Sequence, residues 1–399
     1  MPVSSNVRRP NSLLRPLMDL SQIRFLESVE NIKALASRRT GRELSTARAR
    51  EITACLQQGR LFFEAAPKSP LETRPLVQFY GLLGFARALI LARRSVAMST
   101  LAKGHGIKDI STPDARIVEL KAKIESRGTF VEFNDEVGAI NRACYFGQDL
   151  QPKSVLVPTA SSNALIATEV SLKDVLARIP GLGKMYRNTF NEAPHTEYFD
   201  ALNYRSDEDY FSLRIVDAQV LDSRDALGQI LNRWRARFPC LAKWRVIEAT
   251  RAWGETYVTI TNLPNNVEDE LGELNLRSNG SGGYSARIIP TADVPRQPLA
   301  EILDGIAGGY SDSGIHGVSQ IGDHYLSEFS LIYIGLFLLS SLVRYRPDIW
   351  SHAVSRSSLQ DRPMDDQALA LIEQFLEISQ PRIPAIVVSL INPNEDRYA

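Results

Sequence analysis

Residues 323–352 read DHYLSEFSLIYIGLFLLSSLVRYRPDIWSH and form the most apolar long segment of the chain. Within it, residues 330–343 are almost all apolar or small. A helix that is apolar on every side is buried in a protein core or in a bilayer, and a membrane span needs about 20 apolar residues. This run is shorter and is closed by Arg344 and Arg346, so we predict a buried core helix. Pro347 should end it, because proline lacks the amide hydrogen and clashes with the preceding turn.

A second apolar helix, PLVQFYGLLGFARALILARR, is predicted at residues 75–94. Its apolar positions recur at helical spacing and form one broad face. Gly335, Ser340 and Ser341 are small enough to let another helix approach the core helix closely. We therefore expect the N- and C-terminal parts of the chain to pack together as one helical domain.

The middle of the chain changes character at Gly128. Segments such as GTFVEFND and KSVLVPTA are short apolar runs bounded by turn residues, which favours strands. Helices are expected to resume at residues 298–310, and a last helix is predicted at residues 364–378, with AIVVSLIN after it as a strand. The fold class is thus α+β: a mainly helical discontinuous domain (1–127 and 298–399) with an inserted mixed α/β domain (128–297).

The charge and cysteine content limit the classes of function. The chain has 46 basic and 46 acidic residues, which excludes a uniformly basic nucleic-acid coat but not a local patch. Its three cysteines lack metal-ligand spacing and are too few for a disulfide scaffold. The N-terminal residues lack a continuous apolar segment of the secretory type, so we expect a cytoplasmic protein. Nothing resembles a nucleophile elbow, a dinucleotide fingerprint or a deaminase zinc signature, so we expect no cofactor and no metal.

Two blocks carry a family resemblance. The first is residues 58–92, QGRLFFEAAPKSPLETRPLVQFYGLLGFARALILA, followed by His105-Gly106-Ile107. The second is residues 331–350, LIYIGLFLLSSLVRYRPDIW. Together they resemble the bacterial YaaC-like proteins. The resemblance implies an intracellular, mainly helical protein and implies no reaction and no catalytic residue.

A candidate catalytic pair lies at the end of the core helix. Arg346 and His352 have the Arg-x5-His spacing that resembles the motif of HEPN-type ribonucleases, usually completed across a homodimer. In such a site the arginine stabilises the charged phosphate while the histidine acts in proton transfer. About one chance match to so short a pattern is expected in a chain of this composition. The alternative is that Arg344 and Arg346 solvate the helix end and Trp350 packs on the core.

Two further sites are candidates. In one, basic residues alternate with Trp234, Phe238 and Trp244, as in surfaces that bind phosphates and stack bases. The basic residues of this nucleic-acid-binding candidate are Arg233, Arg235, Arg237, Lys243 and Arg245. The alternative is that Trp234 and Phe238 form a core face and the arginines a solvated one.

The other candidate is His105, between Gly104 and Gly106, which is free to reach a phosphate or act as a base. The alternative is a tight turn after the long helix. The interpretation as a whole is a binding or regulatory protein that acts on nucleic acid or with a partner protein, without a membrane. The alternative function is a metal-independent ribonuclease of the HEPN type, acting as a toxin or phage-defence effector, that uses Arg346 and His352.

Overall fold

The computed structural model describes most of the chain, in several segments. The longer described segments are residues 20–138, 141–146, 152–157, 159–205, 210–216, 245–252, 255–261, 315–355 and 366–392. Shorter described pieces are residues 229, 232, 234–238, 241, 277–278, 284–285 and 306–308. Over these residues the protein is a mainly helical α+β structure, as predicted.

The α-helices are α1 (Ser21–Leu26), α2 (Val29–Thr40), α3 (Thr46–Ala65), α4 (Arg74–Arg94), α5 (Thr129–Gly138), α6 (Leu172–Arg178), α7 (Gly183–Phe190), α8 (Glu328–Tyr345), α9 (Pro347–Val354) and α10 (Leu369–Ile391). The strands are β1 (Ile107–Asp109), β2 (Lys121–Ile124), β3 (Arg142–Phe146), β4 (Pro152–Leu156), β5 (Glu169–Ser171), β6 (Thr196–Arg205), β7 (Tyr210–Val216), β8 (Arg245–Ala252), β9 (Glu255–Thr261), β10 (Arg277–Ser278), β11 (Tyr284–Ser285), β12 (Ile306–Gly308) and β13 (Ile315–Val318).

Helices α4 and α8 lie at the centre of the helical core and contact each other, as expected. The ring of Phe79 on α4 lies 5.8 Å from the ring of Tyr333 and 5.8 Å from that of Phe337, both on α8. Among the described helices, these two are long and apolar enough to span a membrane, and 78% of the apolar window of each is buried inside the protein. Helix α8 ends at Tyr345, before Pro347, which agrees with the predicted end of the core helix.

Glycines allow the central helices to approach closely. A Cβ atom on Gly84 of α4 would lie 2.8 Å from the backbone nitrogen of Gly59 on α3, closer than real Cβ contacts. On α8, a Cβ atom on Gly335 would lie 2.6 Å from the ring of Phe375 on α10. The small residue at Gly335 therefore admits a ring from α10, whereas the sequence suggested the helix at residues 75–94 as the partner.

The predicted strand at residues 128–135 is wrong, because this segment begins helix α5. Its first amide groups, those of Thr129 and Phe130, donate to the carbonyl oxygens of Gly104 (3.1 Å) and His105 (2.7 Å). Phe130, Phe133 and Val137 then fall on one buried face. The short apolar run could not distinguish a strand from a helix, since the distant loop that caps the helix decides between them.

The predicted C-terminal strand is also wrong. Helix α10 continues to Ile391 and includes both Pro381 and Pro384. Each proline removes one backbone hydrogen bond, but the residues after them still bury Ile386, Val387 and Leu390 at helical spacing. Burial of this face outweighs the local cost of the prolines.

The strands form two sheets. Strands β1, β2 and β5 make a small antiparallel sheet, and ten described strands make a larger one. Its order is β10-β11-β8-β9-β7-β6-β13-β12, and in addition β3 pairs with β6 and β4 pairs with β3. The predictions of a helix at 298–310 and of a loop after it are wrong in part. Ile306–Gly308 is a strand, and it pairs with a second strand at Ile315–Val318. Backbone pairing with β6 stabilises β13 in a segment whose Gly-rich sequence favours a loop.

Part of the predicted inserted domain packs into the helical core. Helix α5 packs against α4, and α6 packs against α8. The spacing of Ser171 and Asp174 predicts a capping box at the start of α6. It is present, because Ser171 Oγ accepts a hydrogen bond from the Asp174 amide at 3.0 Å. The domain boundaries at residues 127–128 and 297–298 stay a prediction.

Candidate functional site

Arg346 connects the end of α8 to a loop that is distant in sequence. Its guanidinium group donates hydrogen bonds to the carbonyl oxygens of Thr112 (2.7 Å) and Ser111 (3.0 Å). The same loop is held to α8 by Asp109, whose carboxylate accepts a hydrogen bond from Ser341 Oγ at 2.6 Å. Arg346 therefore has a structural role that explains its presence at this position.

The other residues of the candidate catalytic segment lie on α9. His352 is exposed there. Trp350 is buried, and its indole nitrogen donates to the carbonyl oxygen of Glu72 at 2.9 Å, as the structural alternative predicted. These contacts fit a structural role for the segment, and the ribonuclease hypothesis stays a prediction.

The basic segment 233–245 is described only in part: Arg233, Lys243 and the side chain of Arg245 lie outside the described residues. Arg237 is half-buried, donates to the carbonyl oxygens of Pro194 and Thr196, and lies over the ring of Phe238 at 5.0 Å. Trp234 and Phe238 are buried, as on a core face. Arg235 is half-buried. The nucleic-acid role of this segment stays a prediction.

His105 is half-buried among aromatic rings. Its ring lies 5.3 Å from that of Phe79 and 5.7 Å from that of Phe337. Burial lowers its pKa, and the charges of Arg344 and Arg87 lower it further, so the neutral ring is favoured. Neither ring nitrogen has a hydrogen-bond partner among the residues that the structure describes. The loop thus serves as a junction between helices, and the ligand role of His105 stays a prediction.

A polar network that sequence reasoning missed lies where β6 begins. His195 Nδ1 is 2.9 Å from Ser319 Oγ, and the Ser319 carbonyl accepts a hydrogen bond from Arg178 at 3.0 Å. Burial lowers the pKa of His195 to about 4, and the charges of Arg178 and Arg237 add to this effect. The Ser319 amide also donates to the His195 carbonyl at 3.0 Å, which extends the pairing of β6 with β13. Because Ser319 is buried, we interpret the network as structural.

Four arginines meet at the C-terminal end of α4, and two more stand beside Arg39 in the sequence; we call the six the arginine cluster. They are Arg38, Arg39, Arg42, Arg48, Arg93 and Arg94. Arg39, at the end of α2, donates to the carbonyl oxygens of Ala92 and Arg93. Arg48, at the start of α3, donates to the carbonyl oxygen of Ser95 at 2.9 Å. These bonds bring segments that are about 50 residues apart to one end of the helical core.

Local sequence explains the positions of Arg38, Arg39 and Arg42 at and after the end of α2. Gly41 ends α2 in the left-handed conformation, with φ of 66°, and its amide donates to the carbonyl oxygen of Ser37. Arg42 follows this turn, and Ser45 caps α3 by accepting a hydrogen bond from the Arg48 amide. Arg38 and Arg42 are both exposed. The turn therefore presents their side chains to solvent beside the anchored Arg39.

The cluster keeps an excess of positive charge. Glu136 pairs with Arg93 (3.2 Å) and with Arg94 (2.7 Å), and Glu132 lies 3.6 Å from Arg94. Glu43 and Glu51 stand in the same segments; Glu43 lies 3.7 Å from Lys33, and Glu51 accepts a hydrogen bond from the Met98 amide. These four carboxylates offset part of the six charges. Carbonyl partners do not neutralise a guanidinium group, so Arg39 and Arg48 remain cationic. The pKa of Arg39 is lowered by burial first and by the charge of Arg93 second, which shows that like charges lie close together.

Helix stability explains only part of this arrangement. Cations near a helix C-terminus interact favourably with the helix dipole and the last carbonyl groups. The arginines in the last turns of α2 and α4 meet this description, namely Arg38, Arg39, Arg93 and Arg94. Arg42 lies beyond α2, and within the described residues neither it nor Arg38 has an ion-pair or hydrogen-bond partner for its side chain. The sequence carries a signal, since residues 38–50 contain five arginines. Arg93 and Arg94 are distant in sequence, and only the tertiary structure brings them close to these residues.

The comparisons with known proteins agree with the resemblance seen in the sequence. A search of curated proteins and a search of solved structures found no match. The family model described as YaaC-like Protein matches residues 20–261 and 310–391. The match includes both blocks that carried the resemblance and extends through most of the middle segment. Because it covers well over half of the chain, the chain belongs to the YaaC-like protein family.

Proposed function

We propose that this YaaC-like protein binds nucleic acid without catalysis, and that the arginine cluster contacts the phosphate backbone. The observation that carries the proposal is the excess of positive charge at one end of the helical core, in a chain whose net charge is zero. Arginine offers a planar fork of donors that matches phosphate oxygens. Contacts between such groups and phosphates supply most non-specific affinity for nucleic acid.

The state of the six side chains supports this role. Arg38, Arg42, Arg48 and Arg94 are exposed. Arg48 uses one of its nitrogens for the Ser95 carbonyl, which leaves further donors for a ligand, since a guanidinium group has five. The structural contacts of Arg39 and Arg48 fix the surface, and the exposed groups around them supply the charge that a polyanion meets.

The test titrates a fluorescein-labelled 20-base-pair duplex with the full chain. Fluorescence anisotropy reports binding at salt concentrations from 50 to 200 mM. The double variant Arg38→Gln/Arg42→Gln should bind more weakly, and its slope of log K against log salt should be about 2 smaller in magnitude. These two side chains make no described contact that stabilises the fold.

The matched control is Arg127→Gln/Arg187→Gln, which removes two exposed arginines outside the cluster. This control should bind like the parent protein. Equal losses in the two double variants would contradict the proposal, as would no binding at 50 mM salt. Polyglutamate tests the other class of partner: if it binds as tightly as the duplex, the cluster is a site for an acidic protein and the nucleic-acid proposal is wrong.

A further inference from the structure

We infer that the arginine cluster recognises the regular backbone of a nucleic-acid duplex, without preference for base sequence, rather than a single strand. The inference rests on the proposed function and specifies the form of nucleic acid that the same site takes. Three features of the cluster carry it: its composition, its anchoring and its compactness.

The cluster lacks the side chains that single-strand sites use. Proteins that bind single strands combine positive charge with aromatic side chains on which the bases stack. In the described part of the chain, the exposed large apolar side chains are Phe25, Leu61, Tyr80, Leu156, Ile166 and Tyr345. None of them lies in residues 38–50 or 91–96. The described surface of the cluster therefore offers phosphate contacts and no platform for bases.

Four of the six arginines are also fixed before a ligand arrives. Arg39 and Arg48 are held by carbonyl groups at the C-terminal end of α4, and Arg93 and Arg94 by Glu136. A preset array of charges favours a partner whose own charges are regularly spaced, because a flexible strand must lose conformational freedom to match it. The four anchored side chains are held back from a groove, where contacts with base edges specify sequence.

Charge density favours a duplex as well. The six arginines come from three short segments that meet at the end of a single helix, so the positive charge is compact. A duplex carries one negative charge per about 1.7 Å of its axis, twice the density of each of its strands. More phosphates of a duplex therefore lie within reach of this surface, and more counterions are released on binding.

The test compares a labelled 20-base-pair duplex with each of its separated strands, at equal phosphate concentration and 50 mM salt, for the full chain. The duplex should bind at least about fivefold more tightly than either strand, and a second duplex of unrelated sequence should bind within about twofold of the first. The variant Arg38→Gln/Arg42→Gln should weaken both duplexes by the same factor.

Different results would contradict this inference and the proposed function. If the strands bind as tightly as the duplex and the cluster variant weakens that binding, the protein is a nucleic-acid-binding protein but the duplex inference is wrong. A difference of about tenfold or more between the two duplex sequences would also overturn it, because backbone contacts carry no sequence information. If neither form binds, the proposed function fails and the inference fails with it.

Discussion

Replacement of Arg346 by methionine should weaken the attachment of the 111–112 loop to the end of α8. Methionine keeps most of the apolar stem and removes the two hydrogen bonds to the carbonyl oxygens of Thr112 and Ser111, at 2.7 and 3.0 Å. A hydrogen bond from a charged donor contributes about 1.5–3 kcal/mol. Thr112 is exposed and Ser111 half-buried, so water replaces much of each bond. We expect a loss of about 1–2 kcal/mol in the free energy of unfolding for the two bonds together.

Two measurements check this value. Urea denaturation gives the change in the free energy of unfolding, and hydrogen exchange of residues 109–112 reports whether the loop opens more often. His352→Ala is the control, because His352 is exposed and its replacement should change stability by less than about 0.5 kcal/mol. The structural reasoning would be refuted if Arg346→Met left stability and exchange unchanged while both variants abolished an RNA cleavage that the parent protein performs in EDTA. That result would establish the ribonuclease alternative.

Three further predictions concern the core, the pH dependence of stability and the arginine cluster. Gly84→Ala should lower the free energy of unfolding by about 1–2 kcal/mol, because overpacking against Gly59 outweighs the better helix propensity of alanine. An unchanged midpoint of urea denaturation would contradict the close approach of α3 and α4 at this position. The pKa of His195 is about 4 in the folded protein, below its ordinary value of 6.5, so stability should fall as the pH decreases from 6.5 towards 4, since the unfolded chain binds the proton more readily. His195→Gln should reduce that fall in thermal denaturation at pH 7 and pH 4.5, and equal falls in the two proteins would rule out this histidine as a contributor. Glu136→Gln should raise the affinity for a duplex in the anisotropy assay, because it removes the carboxylate that pairs with both Arg93 and Arg94, although Arg94 keeps Glu132 at 3.6 Å. An unchanged affinity would exclude Glu136 as a competitor of phosphate.

The sites differ in how far sequence could predict them. The Trp350 side chain was expected on the core as one of two alternatives, and its apolar surroundings were enough to suggest this. The partner of Arg346 was not predictable, because the two carbonyl groups that it contacts lie more than 230 residues away in the chain. The arginine cluster shows the same limit: four of its six arginines stand in residues 38–48, yet their meeting with residues 93–94 depends on how α2, α3 and α4 pack.

The sequence by itself determined the features that depend on local composition. The length and uniform apolarity of residues 330–343 predicted a buried helix, Pro347 predicted its end, and the pairing of Ser171 with Asp174 predicted a helix start. Each of these rests on groups a few residues apart, whose interactions are present in any fold that contains them.

Tertiary structure alone decided the features that need a distant partner. Residues 129–138 are helical because the loop at Gly104 and His105 accepts their first amide groups, and residues 385–391 remain helical because their apolar face is buried despite two nearby prolines. In both segments the local preference is weak or opposed, and burial with satisfied backbone hydrogen bonds outweighs it.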